Sequence, residues 1–366
     1  MSESSQTQKM SQNQHFVTIT KVDFYAQLVD SGRKHCAHLG YTSSGAMDWM
    51  AYEFANVLVG NDAGTPAIEI CLGNASFYFV RDTVVAISGA PAKCSLQAHD
   101  NRIRNSGNEI EQNKAVVIPK GYTLQIQNVG QNHQQGTRVY LAVLGGYDAP
   151  RLFSSVANVK REGSGGLHRD GRALIAGDKL MRAALEPCEL KPVNAKDSRI
   201  NRSIARDLSS NYKSTIDTNV SLQFVPGYQW YDFEPSERHK ILQSQFTTSP
   251  HNDRMGVRLS GPCIHPRQRS LYSQGLCNGA IQCAGDGQLI VMLNDRQTIG
   301  GYPVMGALCA FSRARLSQFK SGQTLSFSMV DVHQISANMA IYQRKLEQIR
   351  QMARSTQNAI KKGHVT

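Results

Sequence analysis

An apolar run near the end of the chain is followed at once by a dense group of polar residues. The run is Leu289-Ile290-Val291-Met292-Leu293, and its lack of alternation predicts a strand buried on both faces. Polar side chains that converge at the end of a buried strand are typical of binding sites. The residues that follow are Asn294, Asp295, Arg296, Gln297, Thr298, Ile299, Gly300, Gly301, Tyr302 and Pro303.

The residue types of this segment suit the recognition of an amide. Gln297, with Gln282 upstream, carries both a donor and an acceptor and could hydrogen-bond an N–C=O group. Asp295 could act as a base or orient the guanidinium of Arg296. We predict Asp295 and Gln297 as catalytic residues and Gln282 and Arg296 as substrate-binding residues. A salt-bridged turn would use the same residues, so both interpretations stay open.

A second candidate is the stretch of small residues 43–47, Ser-Ser-Gly-Ala-Met, which leads into Asp48. The Asp48 carboxylate can accept the free amide hydrogens of a first helical turn, which predicts a helix from Asp48 to about Val59. Backbone amides before a helix N-terminus also suit an anion, and Asp48 is our third predicted catalytic residue. A tight turn with an ordinary helix cap is the simpler alternative.

Strands must position most of these residues. Short runs rich in β-formers, bounded by Gly, Asp or Pro, lie at residues 16–23, 83–87, 138–144, 289–293 and 324–330. A second predicted helix covers residues 332–352 and has a basic face opposite an apolar stripe. The stripe consists of Ile335, Met339, Tyr342, Leu346, Ile349 and Met352. The sequence predicts a mainly β chain of barrel or sandwich architecture with a C-terminal amphipathic helix.

The two halves of the chain carry similar short segments. Residues 85–90 (Val-Ala-Ile-Ser-Gly-Ala) resemble residues 257–262 (Val-Arg-Leu-Ser-Gly-Pro), and a Gly-Gly-Tyr follows downstream at 145–147 and again at 300–302. This similarity predicts two related β-barrel domains, at 16–186 and 221–331. A polar linker is expected at 187–220, a disordered tail at 1–15 and a basic helix with its tail at 332–366.

Composition and charge narrow the class of protein. The 366-residue chain has a net charge of +12, and the segment from Ala340 onward contributes five of those charges. No nucleic-acid-binding motif accompanies them, so the basic face either aids solubility or docks on an acidic partner. No export signal or membrane-spanning run is present, which favours a cytoplasmic protein with reduced thiols. The short His35–His38 cluster lacks further ligands, and we expect no metal.

Common catalytic signatures are missing. The sequence has no phosphate-binding GxxxxGK[ST], no GxSxG and no HExxH. It has no Met-Lys-Met segment for attaching biotin.

A series of motifs carries a family resemblance over about residues 16–330. In chain order they are Asp30-Ser31-Gly32-Arg33, Gly45-Ala46-Met47-Asp48, Ala55-Asn56-x-Leu58-Val59-Gly60-Asn61, Ile68-Glu69-Ile70, Ser88-Gly89-Ala90, Gly145-Gly146, Asp253-Arg254-Met255-Gly256-Val257-Arg258-Leu259-Ser260-Gly261, Gly279-Ala280-Ile281-Gln282 and Asp295-Arg296-Gln297-Thr298-Ile299-Gly300-Gly301-Tyr302-Pro303. On these motifs the chain resembles the biotin-dependent carboxyltransferase family, also called allophanate hydrolase subunit 2. That family includes one component of 5-oxoprolinase, a sporulation kinase-inhibitor antagonist and part of urea carboxylase.

The resemblance implies two cyclophilin-like β-barrels in tandem and a subunit of an amide-processing complex. It implies ATP-dependent opening of 5-oxoproline to glutamate, with an A-like and a B-like protein of oxoprolinase as partners, ATP as the cofactor of the complex and a small amide as substrate. It adds further substrate-binding candidates, which are Arg33, Arg254, Thr298, Gly300, Gly301 and Tyr302. Two alternatives stay open: a carboxyltransferase-type subunit that acts on urea or another amide, and a regulatory protein that sequesters a B-like partner.

The chain departs from the family pattern in the first half. Val29 stands where Gln is usual, and residues 153–157 (Phe-Ser-Ser-Val-Ala) replace an expected Gly-Ser-Arg-Ser-Thr type of turn. If these loops line the site, the departures weaken the expectation of catalysis but not that of the fold.

Overall fold

The computed structural model describes residues 15–98, 108–131, 136–182, 220–267 and 272–361. The described residues of the first half form twelve strands in two sheets. The strands are β1 (His15–Val22), β2 (Tyr25–Val29), β3 (Ala67–Cys71), β4 (Gly73–Phe79), β5 (Thr83–Gly89), β6 (Lys93–Ala98), β7 (Asn108–Ile110), β8 (Ala115–Ile118), β9 (Tyr122–Val129), β10 (Arg138–Val143), β11 (Tyr147–Asp148) and β12 (Lys179–Arg182).

The two sheets of the first half enclose one apolar core. One sheet has the order β11-β12-β1-β4-β9-β6-β7 and the other the order β2-β3-β10-β5-β8. The alternating burial along β4 (Gly73–Phe79) shows why this pattern folds as a sheet: Ala75, Phe77 and Phe79 are fully buried, and the residues between them are not. These side chains join Phe16, Ile19 and their neighbours in the shared core.

The second half is a closed barrel with two short helices and a small ribbon. The barrel strands are β13 (Val220–Pro226), β14 (Phe246–Thr248), β15 (Gly256–Ser260), β17 (Ala280–Cys283), β18 (Leu289–Met292), β20 (Val304–Leu308) and β21 (Thr324–Met329), while β16 (Gln274–Gly275) and β19 (Ile299–Gly300) pair separately. The barrel order is β13-β20-β17-β18-β15-β14-β21. Closure leaves the barrel without a free sheet edge.

Two further helices join the halves. Helix α1 (Trp49–Leu58) begins at Asp48, whose carboxylate accepts the backbone N–H of Ala51 at 3.2 Å. The short helices α2 (Pro235–Gln243) and α3 (Ala310–Leu316) belong to the second half, and α4 (Val332–Lys361) is the C-terminal helix. One apolar cluster combines residues of α1, α3 and α4 with the outer face of the β5 and β10 sheet.

Helix α4 lies along α1 and forms hydrogen bonds with the residues that follow the C-terminal end of α1. Tyr342, Leu346 and Ile349 are buried against α1. The Nε of Arg350 donates to the carbonyl of Asn61 at 3.1 Å, and the Nε of Arg354 donates to the carbonyl of Gly60 at 3.2 Å. Guanidinium groups are favourable where a helix leaves carbonyls unpaired. Part of the basic charge of the C-terminal segment therefore has a structural use within the chain.

These observations confirm the predicted mainly β fold, the barrel architecture and the C-terminal helix. The first half does differ from a single closed ring, since its strands hydrogen-bond as two sheets. The two Gly-Gly-Tyr segments also differ: Tyr147 is fully buried, whereas Tyr302 is 42% exposed. The predicted tail 1–15 and linker 187–220 lie outside the described residues except for His15 and Val220.

Two other sequence predictions concern cysteines and membrane spans. Cys71 and Cys309 are buried in the core. The seven cysteines of the described residues are free thiols. No helix within the described ranges is long and apolar enough to cross a membrane.

Candidate functional site

Two loops of the first half meet through a pair of glycines. Gly32 and Gly45 have φ values of +85° and +87°, which favour glycine. A Cβ on Gly45 would lie 2.9 Å from the Cα of Gly32, so neither residue can carry a side chain in this arrangement. The N–H of Ala46 donates to the carbonyl of Asp30 at 3.0 Å. This contact fixes the small-residue loop that leads into α1.

Asp30 and Arg33 hold a third loop, the one that departs from the family pattern. The Asp30 carboxylate accepts the hydroxyl of Ser155 at 2.6 Å and the backbone N–H of Val156 at 2.8 Å. Arg33 pairs with Glu162 at 2.5 Å, and both side chains are almost fully buried. Arg33, predicted to bind substrate, therefore lies where it fixes the loop that contains Glu162.

The guanidinium of Arg254 connects the two halves. Its Nη1 donates to Glu69 of β3 at 2.5 Å, and its Nε donates to Asp295 at 2.9 Å. Its Nη2 donates to the carbonyl of Gly45 at 2.7 Å, and the Asp295 carboxylate also accepts the hydroxyl of Ser44 at 2.7 Å. Burial opposes the charge of Arg254, but Asp295 and Glu69 outweigh it and raise its pKa.

Glu69 is the centre of this network on the first-half side. Its carboxylate accepts the backbone N–H of Met47 at 2.9 Å and the hydroxyl of Tyr140 at 2.7 Å. The amide oxygen of Gln27 faces Arg254, because the opposite orientation would set donors against donors. Burial, with Glu69 nearby, raises the pKa of Tyr140 well above its usual value. The hydroxyl of Tyr140 therefore stays protonated and donates a hydrogen bond to the carboxylate.

Asp48 contributes to the same junction as a structural residue. Besides capping α1, its carboxylate accepts the Nε2 of Gln318 at 2.8 Å. The Oε1 of Gln318 in turn accepts the backbone N–H groups of Thr137 and Arg138, each at 2.8 Å. The capping prediction is confirmed. The catalytic role predicted for Asp48 stays a prediction, and it concerns a side chain that is 2% exposed.

Asn294 and Arg296 also contact the small-residue loop. The Nδ2 of Asn294 donates to the carbonyl of Ala46 at 2.9 Å, and its own carbonyl accepts the N–H of Ser44 at 3.0 Å. Arg296 donates from Nε to the carbonyl of Leu276 at 3.0 Å and from Nη1 to Ser43 at 3.1 Å. The ion-pair partner of Asp295 is thus Arg254, and the hydrogen bonds of the Arg296 guanidinium go to Leu276 and Ser43.

The remaining predicted residues form a separate cluster around Gly300. A Cβ on Gly300 would lie 2.9 Å from the Nε2 of Gln282 and 3.3 Å from the Nε2 of Gln297. Gln282 is buried and donates to the carbonyl of Tyr302 at 3.4 Å. Thr298 and Gly301 are partly buried along the same loop. The structure therefore brings the side chains of the two glutamines together at Gly300.

A cavity of about 340 Å³ lies between the halves, next to the Arg254 network. Both halves and α4 line it. Its polar lining consists of Asp30, Ser31, Ser43, Ser44, Tyr52, Glu53, Asn278, Asn294, Arg313 and Gln343. Burial raises the pKa of the Glu53 carboxyl. The cavity can receive a small polar molecule that both donates and accepts hydrogen bonds.

Sequence reasoning gave no role to three residues of this junction, Glu69, Asn278 and Arg313, although Glu69 lies within one motif of the family resemblance. Glu69 had a recognisable signal: it stands inside the strand sequence Ala-Ile-Glu-Ile-Cys, where all five residues are buried. A carboxylate amid apolar neighbours in a buried strand needs a cationic or donating partner. Arg313 gave no such signal, because an arginine in a short helix is usually a solvent-exposed residue.

Comparisons with known proteins place this geometry in a family. Residues 39–329 match the family model described as carboxyltransferase domain, subdomain A and B. The chain is 30% identical over 334 residues to the C subunit of 5-oxoprolinase from Escherichia coli, a match that covers 90% of this chain and 96% of that protein. It is also 30% identical over 308 residues to urea amidolyase of Saccharomyces cerevisiae.

The urea amidolyase matches cover only part of much longer proteins. The matched region is 81% of this chain and 16% of the S. cerevisiae protein. The crystal structure of Kluyveromyces lactis urea amidolyase superposes with a TM-score of 0.76 at 21% identity, over 92% of this chain and 20% of that one. The structural likeness supports the two-part β architecture. The match leaves most of the length of those large enzymes uncovered.

Proposed function

Because this chain belongs to the family of the carboxyltransferase domain, subdomains A and B, we propose that it is the C subunit of a 5-oxoprolinase complex. The complex would convert 5-oxo-L-proline to L-glutamate with hydrolysis of ATP. The observation that carries the proposal is the extent of the match: the alignment with the C subunit of the E. coli enzyme spans 96% of that protein. An A-like and a B-like protein of oxoprolinase would be its partners, and the cytoplasm its location.

The interdomain cavity supports this proposal by its size and its lining. A space of about 340 Å³ is at the small end of ligand pockets, as a five-membered lactam with one carboxylate requires. Its walls carry hydrogen-bond donors and acceptors, and ionisable groups of both signs of charge. Arg313, Asn278 and Glu53 are among them. A lactam is a stabilised amide, so its opening needs a polarised carbonyl oxygen and a positioned water molecule.

The chemistry is divided between this chain and its partners in the proposed complex. ATP would supply the activation of the amide oxygen, and we assign no residue of this chain to ATP. The reaction joins water to the carbonyl carbon and breaks the lactam C–N bond, so that one carboxylate and one amine appear. The contribution proposed for this chain is to bind and orient the substrate at the junction, with Gln282 and Gln297 as the neighbouring polar cluster.

The test is a reconstitution. This chain would be co-purified with the A-like and B-like proteins, and glutamate release from 5-oxo-L-proline would be measured with and without ATP. Omission of each component in turn is the control. Glutamate that forms only when this chain is present supports the proposal. Full activity without this chain, or a stable complex that releases no glutamate, contradicts it.

A second function, the transfer of a carboxyl group to an amide nitrogen, is favoured by the urea amidolyase match at 30% identity. Biotin would then be attached to a different chain. The same purified complex, supplied with a biotinylated carrier protein, biotin carboxylase, bicarbonate, ATP and urea, would form carboxylated urea under this alternative. Urea-dependent carboxylation without any 5-oxoproline turnover would select it over the oxoprolinase assignment.

A further inference from the structure

Two polar atoms in the lining of the interdomain cavity lack hydrogen-bond partners among the described residues. One is the donor Nε of Arg313 on α3, and the other is the acceptor Oδ1 of Asn278. The Nδ2 of Asn278 is already used, since it donates to the Oδ1 of Asn294 at 3.0 Å. A buried polar atom without a partner costs free energy, so such atoms at a cavity wall indicate where a ligand supplies the missing bond.

Gly279 links the two residues, since it follows Asn278 in the chain and packs against Arg313. Its φ is +90°. A Cβ on Gly279 would lie 2.7 Å from the Cδ of Arg313 and 2.9 Å from the carbonyl oxygen of Leu308. The stem of Arg313 therefore packs on the bare backbone next to Asn278. Arg313 and Asn278, which carry the donor and the acceptor without partners, both belong to the lining of the cavity.

The guanidinium groups of Arg313 and Arg296 bring positive charge to this wall. The carboxyls of Asp30 and Glu53 line the same cavity. Within the described residues Arg313 and Arg296 have no ion pair, and Arg296 reaches the cavity lining through its 3.1 Å bond to Ser43. Burial lowers the pKa of both guanidinium groups, and the charge of Arg313 lowers that of Arg296 further. A ligand oxygen with partial negative charge would relieve this electrostatic cost.

We propose that this wall binds the N–C=O group of a cyclic amide, with its oxygen toward the guanidinium of Arg313 and its N–H toward the Oδ1 of Asn278. The inference rests on the proposed function and names the part of the substrate that this chain would bind. In a lactam the ring forces N–H and C=O to point the same way, so both bonds form with one adjacent pair. An acyclic secondary amide prefers the trans form, in which the two groups point in opposite directions.

This geometry predicts selectivity among small probes. The purified full chain would be titrated with 5-oxo-L-proline, with 2-pyrrolidone and with N-methylacetamide, and binding followed by calorimetry and by ligand-observed NMR. Both lactams are expected to bind, the first more tightly because its carboxylate adds an anion to a cationic wall. N-methylacetamide is expected to bind at least about tenfold more weakly, the loss of one hydrogen bond.

Matched variants locate the site. Arg313→Met keeps the stem but removes the guanidinium, and Asn278→Ala removes the acceptor; each is expected to weaken lactam binding about tenfold or more. Arg267→Met, which removes an exposed arginine of the second half, is the control and is expected to leave binding unchanged. Thermal melting of each variant shows whether it is folded. Arg313→Lys, which keeps a positive charge, serves if Arg313→Met does not fold.

The outcomes separate this inference from the proposed function. Lactam binding that both variants abolish, with N-methylacetamide excluded, supports the assignment. Equal binding of lactams and N-methylacetamide, or lactam binding that neither variant changes, overturns it. Absence of lactam binding to this chain, combined with glutamate release by the reconstituted complex, would overturn this site and leave the proposed function standing.

Discussion

Arg254 donates to Glu69 over 2.5 Å, and this pair joins a loop of the second half to a strand of the first. Glu69 is 1% exposed and Arg254 11% exposed at the side chain. The pair therefore sits where water contributes little, and removal of Glu69 leaves the buried charge of Arg254 with Asp295 as its remaining ion-pair partner among the described residues.

Substitution of Glu69 by Gln is expected to destabilise the fold by about 3 kcal/mol, the lower end of the range for breaking one side of a buried ion pair, because Asp295 still pairs with Arg254. Denaturant unfolding would measure the change. The matched control is Glu234→Gln, which removes a carboxylate from the exposed Glu234–Arg267 pair. In this control the free energy of unfolding should change too little to separate the unfolding curve of Glu234→Gln from that of the natural chain. A comparable loss in both variants would show that the position of Glu69 at the junction has no special weight.

A methyl group on Gly45 should disrupt the loop contact, and Gly121 provides a control with the same backbone conformation. Gly45 and Gly121 have φ values of +87° and +84°, but nothing lies within 4 Å of a Cβ placed on Gly121. Gly121→Ala is expected to cost only the left-handed backbone term of about 1–2 kcal/mol. Gly45→Ala should cost clearly more, because its Cβ meets the backbone of Gly32. Equal losses in the two melting temperatures would contradict the tight contact.

Sequence patterns predicted some of the strands, two of the helices and part of the junction. The helix cap at Asp48, the buried strand before Asn294 and the stripe of Tyr342, Leu346 and Ile349 follow from local spacing, which the chain itself displays. Arg254 and Asp295 were singled out by their motifs, but their pairing was not. These two residues are 41 positions apart and meet because β15 and β18 pair antiparallel, with Gly256 opposite Met292. No local pattern encodes that pairing.

The same limit explains why Arg313 was missed. Its position depends on the absence of a side chain at Gly279, a relationship between two distant elements. Helix α4 was predicted to end near Met352 and extends to Lys361, because no glycine or proline stops it before then.

Stability should depend on pH through Glu53, and the sign follows from its raised pKa. Burial in the cavity wall raises the pKa of Glu53 above its ordinary value of 4.5. The protonated carboxyl stabilises the folded state fully at pH values below 4.5. This contribution is lost as the pH rises through the raised pKa of Glu53. Glu53→Gln is therefore expected to be more stable than the natural chain at pH 8, with the difference shrinking to nothing at low pH. Denaturant unfolding at several pH values would measure it.

The opposite sign is expected at Glu234, whose pKa is lowered by its hydrogen bond and its charge interaction with Arg267. Unfolding curves of Glu234→Gln would show any loss at pH 8 rather than at low pH. If Glu53→Gln instead lost stability at pH 8, the carboxylate of Glu53 would have to be stabilised by a partner in the cavity.

The role of Gln297 is tested in the reconstituted complex. Gln297→Ala removes an amide from the Gly300 cluster without touching the Arg254 network, so it should lower turnover by at least about tenfold while partner binding and melting temperature stay unchanged. Asp295→Asn should lower turnover as well, but with a loss of stability, because it weakens the pairing with Arg254. Turnover unchanged by Gln297→Ala would remove that residue from the site.

The packing of α4 on α1 also imposes an order on folding during synthesis of the chain. Helix α1 is made early, yet Tyr342, Leu346 and Ile349 cover its apolar face. A nascent chain must therefore carry that face uncovered while nearly three hundred further residues are added. During this interval the early strands can form, but the junction cannot, since Arg254, Asp295 and Gln318 also arrive late. Assembly of the mature unit is a step that follows translation, and shortened chains that end before Val332 would remain exposed to proteases and to aggregation at that face.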